Sequence, residues 1–109
     1  MMCPSAVGKA ADGFAPIGPY IATGLNVDDL WVQTRLNGRT VQSERTTHML
    51  HDVAAIVSFI SRYVTLEPGD AIFTGTPGST SSMQVGDKVE VEVEGVGVLS
   101  NPVASRRPD

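Results

Sequence analysis

Along residues 88–94 apolar and charged positions alternate strictly, with Val89, Val91 and Val93 on one face and Glu90, Glu92 and Glu94 on the other. Period two predicts a half-buried strand whose carboxylates stand in water. Gly95-Val96-Gly97 turns the chain, and residues 98–103 can pair back. Residues 30–36 and 40–43 are two more β-prone runs, separated by Asn37-Gly38. That dipeptide signals a hairpin, because both central positions of a type I′ turn need φ > 0. Thr34, Arg35, Arg39 and Thr40 read as its solvated end. Short apolar runs predict further strands at 20–23, after Pro19, and at 71–74.

One segment has the helical period. Val53, Ile56, Val57 and Ile60 form an apolar stripe over residues 53–63. Asp52 stands before it as an N-cap, its carboxylate placed to accept from free backbone N–H groups. Turns are predicted at 26–29, 67–70 and 85–87, where Asn, Asp, Pro and Gly cluster. The fold class expected is β-rich α+β, with mixed or antiparallel sheets and one main helix. The chain reads as a single domain of residues 1–109, with 1–7 and 104–109 flexible. No internal repeat or linker divides it.

Composition narrows the class of function. The chain has 109 residues, 41% hydrophobic and 18% charged, as a globular domain does. Its formal charge of −4 argues against nucleic acid or an anionic membrane as partner. No apolar run has the length of a membrane span, and the start lacks the charged and apolar regions of a secretory signal. Cys3 is the single cysteine, so no intrachain disulfide can form. A cytoplasmic location is the expectation.

Candidate chemistry centres on Leu66-Glu67-Pro68-Gly69-Asp70-Ala71-Ile72-Phe73-Thr74-Gly75-Thr76-Pro77. Pro68 and Gly69 make a β-turn, and a short strand then runs into a Gly-Thr-Pro loop. Gly75 permits close backbone approach, and Thr76 adds a hydroxyl beside exposed N–H groups. Such a loop can hold a carboxylate or carbonyl oxygen; it can also be an ordinary strand-end turn. It is not a phosphate loop, since no Gly-Lys-Ser/Thr follows. No Gly-x-Ser-x-Gly elbow is present either. Glu90, Glu92 and Glu94 read as a solvated strand face. His48 and His51, three apart, read as ordinary polar residues, and Glu44 and Arg45 as loop charges.

Three further stretches accompany that loop in order. Gly8-Lys9 with Phe14-Ala15-Pro16-Ile17-Gly18-Pro19 lies upstream, Leu36-Asn37-Gly38-Arg39 lies between, and residues 85–103 follow. Together they resemble the C-terminal part of the fumarylacetoacetate hydrolase family, from about Gly8 to Val103. The resemblance implies that Lys9 is catalytic, its ammonium stabilising an enolate, and that Gly75 and Thr76 bind the substrate's carboxylate or keto oxygen. On bare sequence Lys9 could equally be a solvated lysine. A family position four places beyond the lysine, associated with the metal site, is here Gly13, which has no ligating side chain.

The resemblance also implies a divalent cation, Mg²⁺, Mn²⁺ or Ca²⁺. The family holds it with two glutamates and an aspartate that precede the Gly-Lys motif, as does the catalytic histidine. Gly8 leaves no room for them, so no metal ligand is assigned in this chain, and the chain alone is expected to be inactive. The function expected is that of the C-terminal portion of an enzyme acting on β-diketo or 2-keto acids, by C–C hydrolysis, decarboxylation or isomerisation. The expected partners are a small keto acid and either a second copy or a missing N-terminal half. The alternative is a non-catalytic β-rich folding or oligomerisation module.

Overall fold

The structure is a computed structural model that describes residues 15–76 and 81–105. Four strands form one antiparallel sheet: β1 (Trp31–Leu36), β2 (Arg39–Arg45), β3 (Lys88–Val93) and β4 (Gly97–Pro102), in the order β2-β1-β3-β4. A 3-10 turn (Thr46–His48) leads from β2 towards helix α1 (Val53–Ser61). The β-rich α+β class with one main helix is therefore what the chain adopts. The extreme terminal segments and Lys9 lie outside the described residues.

The β1–β2 hairpin turns where Asn37-Gly38 requires it, at φ 52° and 82°. Its register slips between Thr34 and Arg35, leaving Val41 as the extra residue of a bulge. Asn37 also ties the hairpin to β3. Its backbone N–H donates to the Lys88 carbonyl at 2.8 Å, and its Oδ1 accepts the Lys88 N–H at 2.8 Å. Its Nδ2 donates to Asp87 Oδ1 at 2.9 Å, while Asp87 Oδ2 accepts the Gln84 N–H at 2.8 Å.

Those bonds, first that from Asn37 and then that from Gln84, hold the Asp87 carboxyl below its ordinary value. A carboxyl with a lowered pKa binds protons less readily folded than unfolded. Its stabilising effect is then full above the unfolded pKa and is lost as pH falls through the folded one. Asp87→Asn is expected to flatten the loss of stability below about pH 4, measured by urea unfolding at a series of pH values. An unchanged acid limb would contradict the role given to Asp87.

The alternation along β3 sorts the sheet's two faces. Val89, Val91 and Val93 stand opposite Leu36, Thr34 and Val32, while Glu90 and Glu92 stand opposite Arg35 and Gln33. Arg35 reaches Glu92 at 2.9 Å and Glu90 at 3.9 Å. It is half-buried, so it is not part of a solvated hairpin end as expected. Glu44 and Arg45 belong to β2 rather than to a loop, and Arg45 Nη2 meets Asp29 at 2.8 Å.

Asp52 caps α1 by accepting the Ala55 N–H at 2.7 Å. The helix stops at Ser61, short of the expected 63, and residues 62–64 form a turn on the Ile60 and Phe59 carbonyls. Val53, Ile56 and Ile60 are half-buried, but Val57, placed in the same stripe, is exposed.

Two expected strands do not form. Residues 20–23 and 71–74 join no ladder, because neither lies against a free sheet edge that would supply backbone partners. The first instead passes over the β3–β4 turn. A Cβ at Gly97 would come within 3.0 Å of the Tyr20 ring, and one at Gly95 within 2.9 Å of Leu25, so both turn positions need glycine for space as well as for φ. The closely packed element pairs are all strand pairs, and none of the described residues is fully buried. No helix among the described residues is long and apolar enough to cross a membrane.

Candidate functional site

The turn at Glu67–Asp70 forms as its residues require. Gly69 sits at φ 94°, Asp70 N–H donates to the Glu67 carbonyl at 3.1 Å, and Asp70 Oδ2 accepts the Glu67 N–H at 2.8 Å. That turn launches residues 71–76, which run between two cavities. Gly75 lies at φ 101°, a backbone conformation that L side chains rarely adopt, and no atom stands within 4 Å of where its Cβ would be. Glycine is required there by the backbone and not by crowding. Thr76 is exposed and faces both cavities.

One cavity, of about 510 Å³, has Pro16–Tyr20 on one wall, Ile72–Thr76 on another and Val91, Val93 and Leu99 of the sheet as its floor. It brings together two stretches more than fifty positions apart: the Gly18-Pro19 segment that follows Lys9, and the Gly75-Thr76 loop. The side chains from the sheet are apolar, so polar recognition falls to Thr74, Thr76 and the backbone. The expected roles of Gly75 and Thr76 are compatible with this placement. Lys9 lies outside the described residues.

The other cavity, of about 410 Å³, lies on the helix side of the same loop and is lined by Val32, Glu44, Arg45, His48, His51 and Ile56, among others. His48 Nδ1 bonds to Glu44, and Glu44 also accepts the Arg45 N–H at 3.0 Å. The Arg45 bond first, and His48 next, hold the Glu44 carboxyl below its ordinary value. Hydrogen bonding and charge from Asp29 hold the Arg45 guanidinium above its own, with Glu94 adding at 3.9 Å. The sequence reading took Glu44, Arg45, His48 and His51 as unrelated polar residues. The spacing of Glu44 and His48 is the one local signal that pairs them, and nothing local places them beside Thr76.

The divalent cation implied by the resemblance does not fit these residues. Among the described residues no group of three or more His, Cys, Asp or Glu side chains is placed to hold a metal ion. A hard cation needs several oxygen ligands converging on one point. The alternating Glu90, Glu92 and Glu94 do not provide it; the first two face Arg35, and Glu94 accepts the Trp31 N–H at 3.1 Å.

Comparison with known proteins agrees with the motif order. The profile described as "Fumarylacetoacetate (FAA) hydrolase C-terminal" matches residues 1–104. The chain is 41% identical over 104 residues to the homoprotocatechuate catabolism bifunctional isomerase/decarboxylase of Escherichia coli, covering 95% of this chain and 24% of that protein. Among solved structures, it superposes on 5-carboxymethyl-2-hydroxymuconate delta-isomerase from Mycobacterium smegmatis with a TM-score of 0.86 at 42% identity, covering 90% of this chain and 39% of that one. It superposes on the fumarylacetoacetate hydrolase of Exiguobacterium antarcticum with a TM-score of 0.85 at 43% identity, covering 92% and 39%. The chain spans less than half the length of the curated relatives it matches, 37% for an uncharacterized protein of Archaeoglobus fulgidus. These relatives include isomerases, decarboxylases and hydrolases. With the profile spanning nearly the whole sequence and the fold reproduced at this identity, the chain belongs to the fumarylacetoacetate hydrolase family.

Proposed function

We propose that this chain provides the substrate-binding loop of an enzyme acting on β-diketo or 2-keto acids, by C–C hydrolysis, decarboxylation or isomerisation. One observation carries the reading: the Gly18-Pro19 stretch that follows Lys9 and the Gly75-Thr76 loop line one cavity with an apolar floor. Thr76 Oγ1 and the backbone N–H groups of the loop would donate to a carboxylate or keto oxygen. The Lys9 ammonium would stabilise the enolate that forms when a bond α to the carbonyl breaks. The apolar floor would carry the carbon chain and keep water from it. The family's cation is not assigned to any described residue, and no step is given to it. Metal dependence, the acylpyruvate class of substrate and a cytoplasmic location belong to this proposal.

The test is a nuclear magnetic resonance titration of the 109-residue chain with acetylpyruvate. The expected result is shifts confined to the amides of Thr74, Gly75, Thr76 and the Gly18–Tyr20 stretch. Shifts centred on His48 and His51 would move the site to the other cavity. No shift at millimolar ligand would favour the second reading, a non-catalytic module, which the extent of exposed apolar surface supports.

A further inference from the structure

Helix α1 carries more apolar surface than its own chain covers. On a helical projection at 100° per residue, Phe59, Tyr63, Ile56, Ile60, Val53, Val64 and Val57 fall in one arc about 160° wide. The centre of the arc is half-buried, and both flanks are open: Phe59 is 61% and Tyr63 76% exposed on one side, Val64 56% on the other. Between Val53 and Ser61 there is no charged residue. Residues 20–23 and 71–74 form a second unfinished feature. They have strand-forming side chains, join no ladder, and leave Ile21 95% and Phe73 55% exposed.

The size of this surface says what kind of partner covers it. The chain presents 8657 Å² to solvent, against about 5,800 Å² for a folded monomer of 11.5 kDa. Its radius of gyration is 15.2 Å, against about 13 Å for a compact domain of this length. The excess, about 2,900 Å², is several times the roughly 800 Å² that each partner buries in a standard interface. A second copy docked through one patch would leave most of it open. An interior shared with further polypeptide would not, and the relatives that reproduce this fold have chains of which this one covers only 39%.

We infer that the open flanks of α1 and the extended segments 20–23 and 71–74 form a seam. Its occupant is the remaining three-fifths of a family chain, with those segments entering β-ladders against it. The inference rests on family membership and not on the proposed chemistry, and its test does not read activity.

The 109-residue chain is co-expressed with the part of the Mycobacterium smegmatis isomerase that it does not match, each part separately tagged, and the two parts are also joined in one chain. Expected are a one-to-one complex and exchange of the amides in 20–23 and 71–74 slowed at least 100-fold in both formats. Phe59→Glu and Val57→Glu should each weaken association at least tenfold, while Ser58→Glu, on the polar side of α1, should not. Unslowed exchange in the joined chain would overturn the seam, even if the separate parts fail to associate for want of solubility. So would a homodimer of the 109-residue chain that already protects those amides. A protected but inactive complex would leave the seam standing and count against the catalytic reading instead.

Discussion

Lys9→Ala, in a chain completed with the remaining part of a family relative, is expected to lower kcat for keto-acid cleavage by about 10²–10³-fold with little change in KM. The enolate oxygen carries its charge at the transition state. A fixed ammonium therefore contributes more there than to the bound substrate, which is why the loss falls on kcat. Lys9→Arg is expected to recover little, since a planar guanidinium on a longer stem does not present a point charge at the same place. Steady-state kinetics on the completed protein measures both. A Lys9→Ala protein with full kcat would return Lys9 to the solvated lysine that its sequence context alone allows.

Gly75→Val is expected to affect binding most. At φ 101° with open space around the Cβ position, the cost of a side chain is backbone strain, about 1–3 kcal/mol at one residue. The loop escapes that strain by leaving its conformation, and the N–H groups and the Thr76 hydroxyl leave with it. KM should rise at least tenfold, while the urea midpoint of the sheet should move little, because 71–76 joins no ladder. Thr76→Ala should reproduce part of the KM effect, and Thr76→Ser should restore it by returning the hydroxyl. A large fall in the urea midpoint with KM unchanged would make Gly75 a folding residue only.

What could be read in the sequence was what the chain settles locally. The Asn37-Gly38 turn, the two-residue period of β3 and the Asp52 cap each depend on neighbours within a few positions, and each forms as expected. Segments 20–23 and 71–74 have strand composition but form no strand, since a strand also requires a partner backbone, which composition does not supply. Val57 fell within the predicted stripe yet lies exposed, for the same reason: a periodic pattern shows which face a helix would bury, and not whether anything covers it. Arg35 was misread because its partners, Glu90 and Glu92, lie more than fifty positions away in sequence. The candidate site was legible through motif order at Gly75 and Thr76. The neighbouring group of Glu44, His48 and His51 was not, because the fold brings it to the same loop from a different hairpin.

The central claim is that this chain holds the substrate-binding loop of a fumarylacetoacetate hydrolase-family enzyme without the groups that complete its catalysis. Turnover of oxaloacetate and of an acylpyruvate is to be measured with added Mg²⁺ or Mn²⁺, for the purified 109-residue chain and for the same chain joined to the remaining part of a relative. The account predicts no turnover above background for the 109-residue chain. It predicts metal-dependent turnover for the joined protein, lost on Lys9→Ala. Metal-dependent turnover by the 109-residue chain itself, abolished by Lys9→Ala, would contradict the account and require a cation site within these residues.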